Sequence, residues 1–178
     1  MSKEIEVKVL NVDLKDMENK LIKLNAKLIS EEYQRNIIFD TKEPSRKLDT
    51  NTYLRIREVK NLISNKTDIK LTLKENIGKK SLRENIETTT KIDNIESMVY
   101  ILENLGYEVV EDGKKYRKSY LYENIRFDLD IWDKNIYPYP YMEIEVKEPE
   151  DLDKAIKLLD INEANISTKS IMELKKEL

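Results

Sequence analysis

Apolar and charged residues alternate along much of this chain, most clearly in Glu-Ile-Glu-Val-Lys, which occurs at Glu4–Lys8 and again at Glu143–Lys147. A period of two is the signature of a strand with two chemically different faces. The same pattern predicts strands over Arg35–Asp40, Thr52–Lys60, Asp68–Glu75, Ser81–Thr90, Lys114–Glu123, Asn124–Trp132 and Tyr141–Glu148. With the first copy of the pentapeptide that makes about eight strands, in hairpins and a meander. Turns are expected at Asn76–Lys80, which contains Gly78, and at the pair Asp112-Gly113.

Helical spacing appears in four places. Leu14, Met17, Leu21, Ile22 and Leu24 form a stripe within Asp13–Lys27, and Leu152, Ala155, Ile156 and Leu159 form one within Asp151–Leu159, just after Pro149. Ile95, Met98, Val99, Ile101 and Leu102 mark a helix over Asn94–Leu105, with Gly106 at its C-cap. A weaker stripe suggests a last helix over Thr168–Leu178.

The charged faces carry the chemistry. Arg55 and Arg57 share a face, as do Lys70, Thr72 and Lys74, and Arg83, Asn85 and Glu87. Lys115 and Arg117 flank Tyr116, while Arg126, Asp128 and Asp130 alternate with apolar residues. A solvated outer face is the ordinary explanation for any one such strand. Seven strands of the same kind favour another arrangement. Amphipathic helices cover an apolar outer face, and the charged face lines the inside of a closed eight-stranded antiparallel barrel in an α+β domain spanning residues 1–178. Ten basic members (Lys8, Arg55, Arg57, Lys70, Lys74, Arg83, Lys115, Arg117, Arg126 and Lys147) stand against seven acidic ones (Glu4, Glu6, Glu87, Asp128, Asp130, Glu143 and Glu145). With a bound divalent cation, such a lumen suits a polyanion of roughly four charges, such as a triphosphate.

Composition narrows the chemistry. The chain has neither His nor Cys, which excludes Cys/His zinc sites, a cysteine nucleophile, disulfides and a Ser-His-Asp triad. A metal must be held by oxygen, which points to Mg, Mn or Ca. A formal net charge of -3 argues against a general nucleic-acid binder. The first residues lack the basic and apolar regions of a signal peptide, and no apolar run approaches a membrane span. A cytoplasmic protein is expected, with no nucleic-acid or membrane partner.

ExExK at Glu4–Lys8, followed in order by Leu54-Arg-Ile-Arg57, Lys70-Leu-Thr-Leu-Lys74, Arg83–Glu87, Lys115–Arg117, Asp130 and Met142-Glu-Ile-Glu145, resembles the CYTH superfamily of triphosphate tunnel metalloenzymes. That superfamily includes class IV adenylyl cyclases, thiamine triphosphatases and inorganic triphosphatases. The resemblance implies an eight-stranded tunnel. It implies a catalytic Mg or Mn on Glu4, Glu6, Glu143 and Glu145, with Asp130 or Glu87 assisting. It gives Glu4, Glu6 and Lys8 catalytic roles, and assigns a triphosphate to Lys8, Arg55, Arg57, Lys70, Lys74, Arg83, Lys115 and Arg117. Three departures stand out. Asn85 occupies a position where many relatives carry an acid, which leaves open whether one metal binds or two. Trp132–Tyr141, with Tyr137-Pro-Tyr-Pro-Tyr141, replaces a Gly-containing turn, and Ile171 stands where many relatives have Tyr.

The expected function is metal-dependent hydrolysis of a triphosphate, the partner being that small molecule, with a homodimer allowed. An adenylyl cyclase making cyclic AMP is the alternative, and a non-catalytic polyanion-binding module a second one. The carboxylate pairs disfavour the last, because anion binding alone has no need of them.

Overall fold

The computed structural model describes residues 2–41, 43, 48, 52–77 and 83–178, with the side chains of residues 2–4 and 83 outside that description. Among the described residues, nine strands form one antiparallel sheet: β1 (Ser2–Val9), β2 (Lys27–Thr41), β3 (Thr52–Asn61), β4 (Thr67–Asn76), β5 (Arg83–Lys91), β6 (Tyr107–Tyr122), β7 (Ile125–Trp132), β8 (Tyr141–Val146) and the short β9 (Ile166–Ser167). The order is β5-β4-β3-β2-β6-β7-β8-β1-β9, and β5 also pairs with β1, which closes the first eight into a barrel. The expected fold class is therefore observed, with β9 as an extra strand beside β1.

The barrel is apolar outside and polar inside. Odd-numbered Ile5, Val7 and Val9 of β1 face outward, together with Phe127, Leu129, Met142 and Ile144. Helices α1 (Leu14–Lys23) and α3 (Pro149–Leu159) cover them with Met17, Leu21, Ala155 and Leu159. Helix α2 (Ile95–Asn104) covers Ile37, Phe39 and Ile56 on the other side. Each fully buried side chain of this kind contributes about 1.5–3 kcal/mol, so the helices are what keeps the apolar face outermost. Asp13 caps α1 by accepting from the Lys15 and Asp16 amides at 2.8 and 3.0 Å. Asn94 caps α2 by accepting from Ser97 N at 2.7 Å. Gly106 ends α2 with φ +91°, the left-handed conformation expected of a C-cap glycine.

Several element boundaries differ from expectation. Helix α1 stops at Lys23, and Asn25 (φ +59°) turns the chain into β2, which begins at Lys27 rather than Arg35. Ile22 and Ile101, placed in apolar stripes, are half exposed. The last helix, α4, is only Ile171–Lys175, started by a capping box between Ser170 and Glu173. Asp112-Gly113 is not a turn: β6 runs straight through it, with Gly113 opposite Asn36. A Cβ on Gly113 would lie 2.6 Å from Ile136 Cγ1, so the glycine admits a close approach of the 133–140 loop. Lys147 is exposed and lies beyond the end of β8, because the chain turns there toward Pro149; it is not a lumen residue. The turn expected around Gly78 lies outside the described residues.

Candidate active site

The strand registers bring the two copies of the pentapeptide together. β1 and β8 are hydrogen-bonded neighbours, with Glu6 opposite Glu145 and Lys8 opposite Glu143. On the other flank of β1, Glu4 lies opposite Asn85 of β5. Glu6, Lys8, Glu143 and Glu145 line a cavity of about 970 Å³, as do Arg55, Arg57, Lys70, Lys74, Glu87, Lys115 and Arg117. Helix α4 closes over one mouth, where Leu174 packs on Tyr137 and Tyr141. At the other mouth Lys66, Lys70 and Asp68 form the rim, and Lys70 pairs there with Asp68 at 3.1 Å.

Opposite charges are interleaved along the wall. Lys8 Nζ lies 3.1 Å from Glu143 Oε1. Lys74 Nζ reaches Glu6 at 3.4 Å and Glu87 at 2.9 Å, and Arg55 lies 3.9 Å from Glu87. Asn85 is fully buried and donates from Nδ2 to Glu6 Oε1 at 3.1 Å. Arg117 is the hub: Nε and Nη2 hold Asp130 at 2.6 and 2.5 Å, Nη1 holds Asp128 at 2.5 Å, and Nη2 also contacts Glu143. Lys115 donates to Asp130 Oδ2 at 2.8 Å, and Arg126 to Asp128 Oδ1 at 2.8 Å.

These contacts set the ionisation of the site. Burial pushes the Glu143 carboxyl up, but the charges of Lys8, Arg117 and Lys115 outweigh it and hold the group well below the usual carboxylate range. Burial likewise raises Asp130, and Arg117 and Lys115 bring it below its ordinary value. The cations behave differently. Burial, reinforced by Arg117, lowers Lys115 to about 8 despite Asp130 and Glu143. Burial, with the charges of Arg55 and Arg117, lowers Arg57 to about 10. Arg57 donates to Asn36 Oδ1 at 2.7 Å and makes no ion pair with any described carboxylate. The lumen thus crowds cations against one another, and an incoming polyanion would relieve that repulsion.

Two of the acids proposed as ligands from the sequence differ in setting. Glu87 borders the cavity. Asp130 is fully buried with both oxygens taken by Arg117 and Lys115. The side chains of Glu4 and Arg83 lie outside the described residues, although their backbones pair in β1 and β5. Among the described residues no group of three or more acidic side chains is gathered as a formed metal site. The donor chemistry nevertheless fits a hard divalent cation: Glu6, Glu143 and Glu145 offer carboxylate oxygens on adjoining strands, and Glu4 stands two residues before Glu6 in the sequence. Asp128 was placed on the charged face but given no role; the structure makes it a buried partner of Arg117 and Arg126. Gln34 and Asn36, on the lumen face of β2, were missed altogether. The alternation Glu32, Gln34, Asn36 was the available signal.

Comparison with known proteins agrees with this architecture. The structure is similar to the PH1012 protein from Pyrococcus horikoshii OT3, with 27% identity and a TM-score of 0.79 over 96% of this chain and 98% of that one. It is also similar to an adenylate cyclase candidate from Vibrio parahaemolyticus, with 21% identity and a TM-score of 0.76 over 97% of each chain. A third similar fold is that of HpAC1 from Hippeastrum, an adenylyl cyclase candidate described as having a dominant triphosphatase activity. There the identity is 19% and the TM-score 0.65, over 96% of this chain and 91% of that one. No curated protein matches the sequence. The CYTH domain model matches residues 2–173, and with nearly the whole length covered, this chain belongs to the CYTH family.

Proposed function

We propose that the protein is a divalent-metal-dependent phosphohydrolase that binds triphosphates, inorganic tripolyphosphate or a nucleoside or thiamine triphosphate, inside the barrel. The observation that carries this reading is the crowding of buried cations. Arg57 and Lys115 are both lowered by burial and by neighbouring positive charge, and among the described residues Arg57 pairs with the neutral Asn36 and with no carboxylate. A chain of phosphoryl groups supplies the missing negative charge along the length of such a wall. Arg55 and Arg57 present forked donors to phosphate oxygens, and Lys8, Lys74 and Lys115 present point charges. Lys70 meets the anion at the rim, and the resemblance of Arg83–Glu87 to the family pattern gives Arg83 the same task.

Glu4, Glu6, Glu143 and Glu145 would hold Mg or Mn, which supplies Lewis-acid stabilisation of phosphoryl charge when bound. Asn85 keeps Glu6 oriented through its Nδ2, and Lys8 does the same for Glu143 while facing the substrate. Asp130 acts from behind the wall, fixing the planes of Arg117 and the position of Lys115.

Incubation of the purified protein with Mn and either ATP or tripolyphosphate tests the reading. Release of orthophosphate or pyrophosphate with formation of a nucleoside di- or monophosphate is expected. Cyclic AMP as the main product of ATP would make the protein a cyclase, and binding without turnover of either compound would make it a polyanion-binding module.

A further inference from the structure

Charged side chains make up about half of the residues that line the cavity, and among the neutral ones β2 presents two amides, Gln34 and Asn36. They are 4% and 2% exposed. In the ring of eight strands β2 stands four places from β1 in either direction, so the amides face the carboxylate wall from across the barrel.

The hydrogen bonds fix how each amide points. Gln34 Nε2 donates to Glu32 Oε2 at 2.7 Å, and Asn36 Oδ1 accepts from Arg57 Nε at 2.7 Å. Rotating either amide would set like charges or two donors against each other. What remains is one acceptor, Gln34 Oε1, and one donor, Asn36 Nδ2, both buried and both without a partner. Arg55 Nε, on the neighbouring β3, is a second buried donor in the same condition, and Asn85 Oδ1 of β5 a second buried acceptor.

Unpaired buried polar atoms are rare in folded proteins, and two on one strand call for an explanation. If the pair served only to space the surrounding cations, apolar side chains would fill the position without leaving polar atoms unpaired. The phosphoryl chain cannot satisfy both atoms. Its ionised oxygens accept from Asn36 Nδ2 and Arg55 Nε but offer nothing to Gln34 Oε1. Hydroxyl groups both donate and accept, so a pair of them matches the acceptor and the donor where phosphoryl oxygens cannot.

We infer that Gln34 and Asn36 form a subsite for the ribose hydroxyls of a nucleoside triphosphate, which favours that substrate over inorganic tripolyphosphate. The inference rests on the triphosphate reading of the lumen and narrows it to one substrate class.

Calorimetric titration of the full chain with ATP, 2′,3′-dideoxy-ATP and tripolyphosphate, in chelator so that nothing turns over, tests the subsite by binding alone. The wild-type protein is expected to bind ATP about tenfold more tightly than the dideoxy compound, the size of one well-made hydrogen bond. Gln34→Met is expected to erase that difference and to lower the ratio of ATP to tripolyphosphate affinity by a similar factor. Equal wild-type affinity for ATP and dideoxy-ATP would overturn the inference, even if the variant failed to fold. So would a Gln34→Met protein that kept the difference. Turnover with Mn is scored separately: a protein that shows the hydroxyl preference but hydrolyses none of the three keeps the subsite and loses the phosphohydrolase assignment.

Discussion

Replacing Arg117 with Met leaves the barrel wall with three acids that have lost their common partner. Asp128 and Asp130 are 1% and 0% exposed, so water cannot take the place of the guanidinium. Breaking a buried ion pair by removing one side costs about 3–5 kcal/mol. The lower end applies here, because each acid keeps a second cation: Arg126 for Asp128 at 2.8 Å, Lys115 for Asp130 at 2.8 Å and Lys8 for Glu143 at 3.1 Å. A loss of about 3 kcal/mol in a chain of this length corresponds to roughly 6–12 °C in Tm. The pH dependence separates charge from packing. In the wild-type protein the net effect of Arg117 and Lys115, against burial, is to lower Asp130 below its ordinary value. Its stabilising contribution is present above the unfolded value of 3.8 and is lost as pH falls through the lower folded value. In Arg117→Met burial is offset by Lys115 alone, the folded value rises, and the variant takes up protons where the wild type does not. The gap between the two proteins should therefore narrow as pH falls from 7 to 5, measured by urea denaturation at each pH. A gap below 1 kcal/mol, or one that is the same at both pH values, would refute the account of Arg117 as the electrostatic hub.

Other outcomes follow from the same geometry. Glu4→Gln combined with Glu6→Gln should reduce metal-dependent turnover by at least about 100-fold; full retention would show that the metal is held elsewhere. Lys115, at about 8 in the free protein, should gain a proton when a polyanion arrives. Tripolyphosphate binding at pH 8.5 should then take up a fraction of a proton and weaken further as pH rises, whereas binding at pH 6.5 should take up none from this group; calorimetry in buffers of differing ionisation enthalpy reads this directly. Gly113→Ala places a methyl 2.6 Å from Ile136 Cγ1. It should cost about 1–3 kcal/mol by overpacking, with much of the loss recovered on adding Ile136→Ala.

The acidic wall was legible because both of its strands repeat one alternating pentapeptide, and period two alone assigns Glu6, Lys8, Glu143 and Glu145 to their faces. Helices α1, α2 and α3 were legible for the same reason at a different period, the first two with an N-cap side chain in place and the third with Pro149 in its first turn. Gln34 was not, because the first half of β2 puts Ile29 and Tyr33 outward at 39% and 58% exposure, which blurs the contrast between faces. That half is held in the sheet by β3 and β6, whose pairings are remote in sequence. Asp112-Gly113 misled because local turn chemistry was overridden by Ile136, 23 residues on, which needs the missing side chain. Lys147 misled because the alternation continues one residue past the point where the strand ends.

The pairing of β1 with β8 also has a temporal meaning. Glu6 and Glu145 face each other across a seam between strands about 140 positions apart in the chain. Hairpins such as β3–β4 and β6–β7 close over short loops, but the seam cannot form until β8 exists, and its loop-closure entropy is met only late. On a ribosome β1 waits for β8. The carboxylates of the two strands become neighbours only when the barrel shuts, so a partly folded chain with every hairpin in place would still lack the acidic wall.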